Sequence, residues 1–539
     1  MEGGPLVQVA SAIIYITAVL FSALILFNKK ITMKKISIFI LLVIVFGCYL
    51  YKLDTFPNIF IDEANGYYDA YSLAKYGVDS HLMRFPIYLQ SHAGQGQSVL
   101  LVYLSIPFMK LLGFSLFSFR ITLVVLAIVA ILLTCYMLNK FYPKLLSAMM
   151  LAICTAPYLM AEVRYAMDCN VSLWVAILMI DCLLLGVNLK QILPITFFYL
   201  LCGLLAYSYN VAWTYLVFFV FGISFLLYKK RILATKVILL ELLLLLFEII
   251  PILTFAIRSN ITSLNKTIKL GIFTIPELLN SRASTSFIDF HGNILKNMIG
   301  NVYHGFQMLF ICSDGLSWNS LSNFNAYYSF AIILFGIGLY WALKNYRLFE
   351  MKILLILLFS NFIIWLTVLP NYNHWMFTHT AVLPIIGIGI ARLEKIIPYK
   401  YIYSVYLLFF LCFVHAYFTV PRYTGFDIDS IKNVEYIQKV SHRKKVYFDA
   451  DDKNLLLIVR DFSGISPYTF QRTKDNPYSQ KKLAFYNDMA NYQRVTQNTE
   501  LRKSDYLLID STKNNNHRMK LVKKNIILGN TKYNLFILK

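Results

Sequence analysis

The sequence predicts a mainly α-helical, polytopic membrane bundle of about twelve transmembrane helices with a small α/β domain at its C-terminal end. Three observations carry that expectation. Hydrophobic residues make up 58% of the 539 residues and charged ones only 14%, against about 45–50% apolar residues in an ordinary globular chain. Apolar runs of roughly 17–25 residues, the length that crosses a bilayer core as a helix, recur along most of the chain. From Val420 to Lys539 the composition turns polar and basic, and short alternating runs replace the long apolar ones.

The 50 Lys and Arg outnumber the 28 Asp and Glu, for a formal charge of +22. Most of the basic residues stand between apolar runs, where they orient spans, so no nucleic-acid partner is expected. The eight cysteines (Cys48, Cys135, Cys154, Cys169, Cys182, Cys202, Cys312, Cys412) include no CxxC pair, and none lies in the polar tail. Neither a disulfide framework nor a zinc site is expected. The run 10–27 lacks a preceding basic region and a following small-residue cleavage site, so it reads as a retained span.

Taken in order, span 10–27 is followed by Lys29-Lys30-Ile31-Thr32-Met33-Lys34-Lys35, which belongs in the cytoplasm and puts the N-terminus outside. Span 36–51 returns to the outer face and delivers Asp62-Glu63 there. The stretch 97–113 is apolar, but Pro107 and Lys110 interrupt it, and counting it would move the basic loop 139–144 to the wrong side. It is expected to lie in the outer interface. Further spans are expected at 121–138, 145–161, 171–187, 193–208, 213–228, 237–256, 327–343, 353–369, 380–391 and 401–418. The loops 228–231, 344–352 and 392–400 then all fall inside, and all are basic. The expected domains are a transmembrane unit, 1–419, with outer segments 52–118, 162–170, 258–326 and 370–379, and an extracytoplasmic α/β domain, 420–539. Within the latter, 445–448, 505–509 and 534–538 read as strands, 428–440 and 480–492 as helices, and Gly529-Asn530 as a hairpin turn.

Asp62 and Glu63 open an amphipathic helix closed by Gly77. An alcohol is a poor nucleophile at neutral pH, and a carboxylate in hydrogen-bond reach supplies the base it needs. Asp62 is the candidate base, with Glu63 and Asp168 as further catalytic acids. An aspartate ahead of a helical run also suits an N-cap, and Glu63 suits the helix dipole. Arg164 stands four residues before Asp168; the two either pair with each other or complete a site with Asp62. In the long outer segment, Arg258, Lys269 and Arg282 are candidates for holding a phosphate, and Arg258, at the end of a span, is the best placed. Tyr67, His92 and His374 complete the substrate-binding candidates, although a buried, satisfied histidine is the stronger reading of His374. Gly94-Gln95-Gly96-Gln97-Ser98 lacks the Lys-Ser/Thr ending of a phosphate loop and reads as a flexible entrance to the interfacial helix.

An outer Asp-Glu after an early span, an apolar helix ending Phe108-Met109-Lys110-Leu111-Leu112-Gly113 with Phe119-Arg120 beyond it, and then Arg164-Tyr165-Ala166-Met167-Asp168 form an ordered set. This set resembles the GT-C glycosyltransferases, and within them the protein O-mannosyltransferase and aminoarabinose transferase branch with its bacterial cell-envelope members. The resemblance covers about the first third of the chain well and the rest in general layout. It implies a polyprenyl-phosphate sugar donor, inverting displacement at the outer face, and an envelope acceptor with a hydroxyl group (wall polymer, glycolipid or protein). It places Asp62 at the family's catalytic acid, Asp168 at its second acidic position and Arg164 at the neighbouring arginine. The chain departs from the pattern in lacking a proline pair before the interfacial helix, and in having Asn373-His374 where some bacterial members have Asn-Arg. Divalent metal use varies in the family, so Mg²⁺ or Mn²⁺ is left open as a cofactor. Two other readings are a polytopic transporter or lipid-linked oligosaccharide flippase, and an envelope polysaccharide polymerase or ligase. The first predicts repeated halves and intramembrane acids beyond Asp181, Glu241 and Glu248; the second predicts chemistry centred on late Arg and His residues.

Overall fold

The structure, a computed structural model, describes residues 5–28, 30–91, 94–279, 286–290, 292–316, 318–319, 323–420, 425–442, 444–449, 455–471, 488–489, 491–495, 500–512, 519–529 and 531–539. Among these, nine helices are long and apolar enough to cross a membrane, from Pro5–Phe27 to Tyr399–Thr419. A tenth span is the pair Pro143–Cys154 and Pro157–Val163, bent by 62°. The bend follows from Pro157, whose ring forces Ala156 into an extended conformation (φ −65°, ψ 120°). The expected spans 193–208 and 327–343 correspond to the helices Ile192–Ala206 and Ala331–Lys344, which have only 15 and 14 residues. Among the described residues the bundle therefore holds nine to ten full-length spans rather than about twelve. Both short helices keep one face on the bundle and one apolar face exposed, with Ile333 and Tyr340 outermost on the second. A Cβ at Gly338 would lie 1.9 Å from the Ile385 carbonyl oxygen, and one at Gly389 1.9 Å from that of Leu334. The bare glycine backbones thus let Ala331–Lys344 lie directly against His379–Leu393.

The loops expected inside gather at one end of the bundle. There Lys34 pairs with Glu394, the Tyr142 hydroxyl donates to Glu350 Oε1 at 2.9 Å, and Asn188 donates to the same hydroxyl at 2.8 Å. The other end carries the acidic segments and the C-terminal domain. The stretch 97–113 contains the helix Leu100–Leu112, which packs on Ile61–Tyr76 and Leu116–Phe141.

The C-terminal domain has a six-stranded mixed sheet, in the order Asp488–Met489, Tyr492–Arg494, Val446–Asp449, Tyr506–Asp510, Thr531–Leu538, Met519–Leu528. Val446–Asp449 runs parallel to both its neighbours, and the last two strands form a hairpin turning at Gly529, whose φ of 68° suits glycine. The helix expected at 428–440 is Asp429–Ser441. The helix expected at 480–492 is not formed at its end, because Asp488–Met489 and Tyr492–Arg494 pair as edge strands of the sheet; residues 480–487 lie outside the described residues. The domain sits on the same face as Asp62, since Ile59 and Phe426 exchange main-chain hydrogen bonds of 3.0 and 2.8 Å.

Candidate active site

Two buried arginines shape the segment that leads into Asp62. Arg164 donates from Nη1 to the carbonyls of Cys48 (2.6 Å) and Tyr49 (2.8 Å), and from Nη2 to those of Tyr51 (2.7 Å) and Phe56 (2.9 Å). Arg120 donates to the carbonyls of Leu53, Pro57 and Asn58 and forms an ion pair with Glu63. The turn after the second span is thus tied through its carbonyls, which have no helix or sheet partner to satisfy them.

Helix Ile61–Tyr76 begins at Phe60, which provides no side-chain cap, so Asp62 lies in the first turn and is not the N-cap. Asp62 and Asp168 line one cavity of about 260 Å³ with Phe60, Gln95, Met167, Cys169, Tyr209, Ser286, Leu316, Trp318, Asn371, Asn373 and His374. Residues Gln97 and Ser98 hold both acids. Gln97 Nε2 donates to the Asp62 carbonyl oxygen and the Ser98 N–H donates to Asp168 Oδ2, each at 2.8 Å. The stretch 94–98 is therefore a positioning loop rather than a flexible entrance: Leu89–Gln90 pairs antiparallel with Gly96–Gln97, and Gln97 and Ser98 are buried.

The far wall comes from the later loops. Asn373 Nδ2 donates to Cys169 Sγ at 3.0 Å, and its Oδ1 accepts from Asn319 Nδ2, which also donates to Asp314 Oδ2 at 2.7 Å. His374 Nδ1 lies 2.9 Å from the Leu369 carbonyl oxygen and 3.1 Å from Asn371 Nδ2, so the tautomer selects which of the two it bonds. Phe60 and Trp318 stack at 4.7 Å beside Asp62. Burial, followed by the charges of Asp168, Glu162 and Asp62, raises the Cys169 thiol well above its usual range. Cys169 is accordingly a protonated thiol, not a nucleophile.

The structure corrects several expected roles. Glu63 is fully buried, accepts from Arg120 and the Ala166 N–H, and does not line the cavity. Arg164 does not line the cavity, and its terminal nitrogens serve the carbonyls named above rather than Asp168. Tyr67 is buried against Phe462, with ring centroids 5.2 Å apart, and does not line the cavity. Lys269 is exposed on the short strand Ile268–Leu270, away from the cavity wall. Arg258 is in the last turn of Thr235–Ser259, next to Ser259 and Asn260, which line a second cavity. His92 and Arg282 lie outside the described residues. The sequence reading missed Gln97, Ser98, Asn319 and Asn373; polar residues packed among aromatic ones in outer segments were the available signal.

The second cavity, about 380 Å³, is lined by polar groups of Asn210, Ser259, Asn260 and Asn265 with Tyr88 and Trp213, and it shares Ser286 with the first. Trp213 also lines an apolar groove of about 450 Å³ between Val211–Lys229 and Thr235–Ser259. Acidic cavity, polar chamber and apolar groove therefore adjoin in that order. Among the described residues, no group of three or more His, Cys, Asp or Glu is arranged to hold a metal ion.

No family model matches the sequence, and neither does any curated protein. Among solved structures, the chain is similar to ArnT from Cupriavidus metallidurans bound to undecaprenyl phosphate, with a TM-score of 0.55 at 11% identity, covering 92% of this chain and 97% of that one. It also aligns with the apo Archaeoglobus fulgidus oligosaccharyltransferase (TM-score 0.44, 11% identity, 93% of this chain and 69% of that one). The same organism's AglB, in complex with an inhibitory peptide and a dolichol-phosphate, aligns with a TM-score of 0.43 at 12% identity over 94% and 70%. The chain is thus a multi-pass membrane protein that shares the fold of that ArnT structure.

Proposed function

We propose that the protein is a hexosyl- or pentosyltransferase that moves a sugar from a polyprenyl phosphate to a hydroxyl of an envelope acceptor on the extracytoplasmic face. The observation that supports this reading is the meeting of Asp62 and Asp168 in a cavity that adjoins a polar chamber and, beyond it, a lateral apolar groove. The prenyl chain lies along the groove, the phosphate in the chamber, and the sugar beside the two acids. Asp62 takes the proton of the acceptor hydroxyl as its oxygen attacks the anomeric carbon. The bond from that carbon to the phosphate oxygen breaks on the opposite side, polyprenyl phosphate leaves, and the anomeric centre is inverted. A phosphate leaving group needs no acid, and Arg258 supplies positive charge from the end of its helix. Asp168 and His374 orient sugar hydroxyls. Where Mg²⁺ or Mn²⁺ takes part, Asp62 and Asp168 are the carboxylates that would hold it, and it would supply positive charge beside them. The N-terminus and the C-terminal domain are extracytoplasmic in this reading.

The test uses purified protein, synthetic undecaprenyl-phosphate hexoses and pentoses, and isolated envelope acceptors. Asp62→Asn is expected to lower turnover by about 10²–10⁴-fold without moving the thermal midpoint. Undiminished transfer by that variant would remove the assignment.

A further inference from the structure

The chemistry above asks nothing of residues 420–539, yet that domain grips the helix that carries Asp62. Tyr68 and Tyr71 donate their hydroxyls to the carbonyls of Ile465 (3.2 Å) and Gly464 (2.9 Å), and Gln471 donates to the Ser80 carbonyl at 2.7 Å. Docking alone would be served by these contacts and by the Ile59–Phe426 exchange.

Arg460 does something else. It is 1% exposed, on the helix Leu455–Phe462, with Asp461 Oδ1 at 2.5 Å from Nε and the rings of Tyr68 and Phe470 at 5.0 and 5.3 Å. Its Nη2 donates to Asn65 Oδ1 at 3.1 Å. Asn65 Nδ2 donates to Gln97 Oε1 at 2.7 Å, and Gln97 Nε2 donates to the Asp62 carbonyl at 2.8 Å. An amide side chain can turn either way, whereas a guanidinium only donates. Arg460 therefore obliges Asn65 to present its oxygen to it and its NH₂ to Gln97, and Gln97 in turn to present its NH₂ to Asp62. The Asp62 carbonyl, an acceptor only, and Asp69, whose Oδ2 lies 3.5 Å from Asn65 Nδ2, favour the same orientation from the other end; with the guanidinium gone, the buried Asn65 oxygen loses its donor and the amide pair is held from that end alone. The next residue, Ser98, carries the N–H that holds Asp168.

We propose that Arg460 of the C-terminal domain is a positioning residue for the Asp62–Asp168 site, acting through the Asn65–Gln97 amide pair, so that the site is set only when that domain is seated. The inference rests on the transferase reading for its kinetic consequence, and on geometry alone for the linkage.

The test is a double-mutant cycle in the full chain with Arg460→Lys, Gln97→Glu and the double variant. Transfer from synthetic undecaprenyl-phosphate hexoses and pentoses is measured alongside hydrogen exchange at the Ser98 amide and the thermal midpoint. Each single variant is expected to lower kcat about tenfold to a hundredfold, the range that misplacement of a reacting group produces, with KM within about twofold. The double variant falls no further than the worse single one, because both changes break one chain. Ser98 exchanges faster in all three. Should Arg460→Lys not fold, Asn65→Leu removes the middle link and leaves the Arg460–Asp461 pair, with the same expected losses. Multiplying effects, or wild-type kcat and Ser98 exchange in Arg460→Lys, would overturn the proposal and leave Arg460 as a docking residue. If the wild-type chain transfers none of the sugars, the transferase reading fails, and the Ser98 exchange cycle still decides the linkage.

Discussion

Arg120 and Glu63 form a two-point ion pair, Nε to Oε1 and Nη2 to Oε2 at 2.7 Å each, with both side chains wholly excluded from solvent. The pair joins the Leu116–Phe141 span to the helix that carries Asp62, and the Ala166 N–H donates to the same carboxylate at 2.9 Å. Three segments of the site are therefore registered on one buried carboxylate that takes no part in the reaction proposed here.

Removing one member of a buried pair leaves the other charge uncompensated, at a cost of about 3–5 kcal/mol. Glu63→Gln is expected to lower the unfolding midpoint in detergent sharply. Arg120→Met with Glu63→Leu is expected to stay destabilised, because it leaves the carbonyls of Leu53, Pro57 and Asn58 and the Ala166 N–H without their partners. Equal midpoints for Glu63→Gln and the wild type would refute this role.

Arg164→Lys keeps the charge but replaces a planar fork by a single ammonium, which cannot serve four carbonyls at once. A loss of roughly 2–4 kcal/mol is expected, since each hydrogen bond to a charged group contributes on the order of 1.5–3 kcal/mol. Proteolysis between Cys48 and Phe56 should become faster in the variant, and an unchanged cleavage rate there would count against the clamp.

Asp69 is buried, and desolvation raises its carboxyl to about 6. A raised folded value means that its contribution to stability is complete below the unfolded value of 3.8 and is lost as pH rises through about 6. Asp69→Asn removes that loss. The midpoint of the variant minus that of the wild type should therefore fall as pH is lowered from about 7 to about 5. Buried His81, lowered to about 3, has the opposite sign but is common to both proteins and cancels. A pH-independent difference would show that Asp69 carries no raised carboxyl.

The apolar groove offers a test that leaves the acids untouched. Val217, on its wall, is half exposed at 52%. Val217→Trp should raise KM for an undecaprenyl-phosphate donor by about tenfold, equivalent to 1.4 kcal/mol of lost binding. Donors with short prenyl chains should be unaffected. Equal effects on long and short donors would move the lipid elsewhere.

The membrane bundle, the basic loops at one end of it and the acidic segments at the other were legible because a bilayer imposes one-dimensional rules: apolar length makes a span, and lysines and arginines mark one side. Asp62 and Asp168 stood out for the same reason, as acids placed at the ends of apolar runs. The strand at Tyr492–Arg494 was not legible, because edge pairing in the C-terminal sheet outweighs the local helical pattern.

Which of these acids face a cavity was a different kind of question. Glu63 adjoins Asp62 in the chain, yet one residue along a helix turns the side chain by about a quarter of a turn or more, here from the cavity toward Arg120. Arg164 stands out in the sequence as a candidate site residue and Arg460 carries no signal there; packing makes both buried organisers of carbonyls and amides. Partners 57 or 395 residues away are chosen by how helices and domains pack, and no local pattern of residue types encodes that choice.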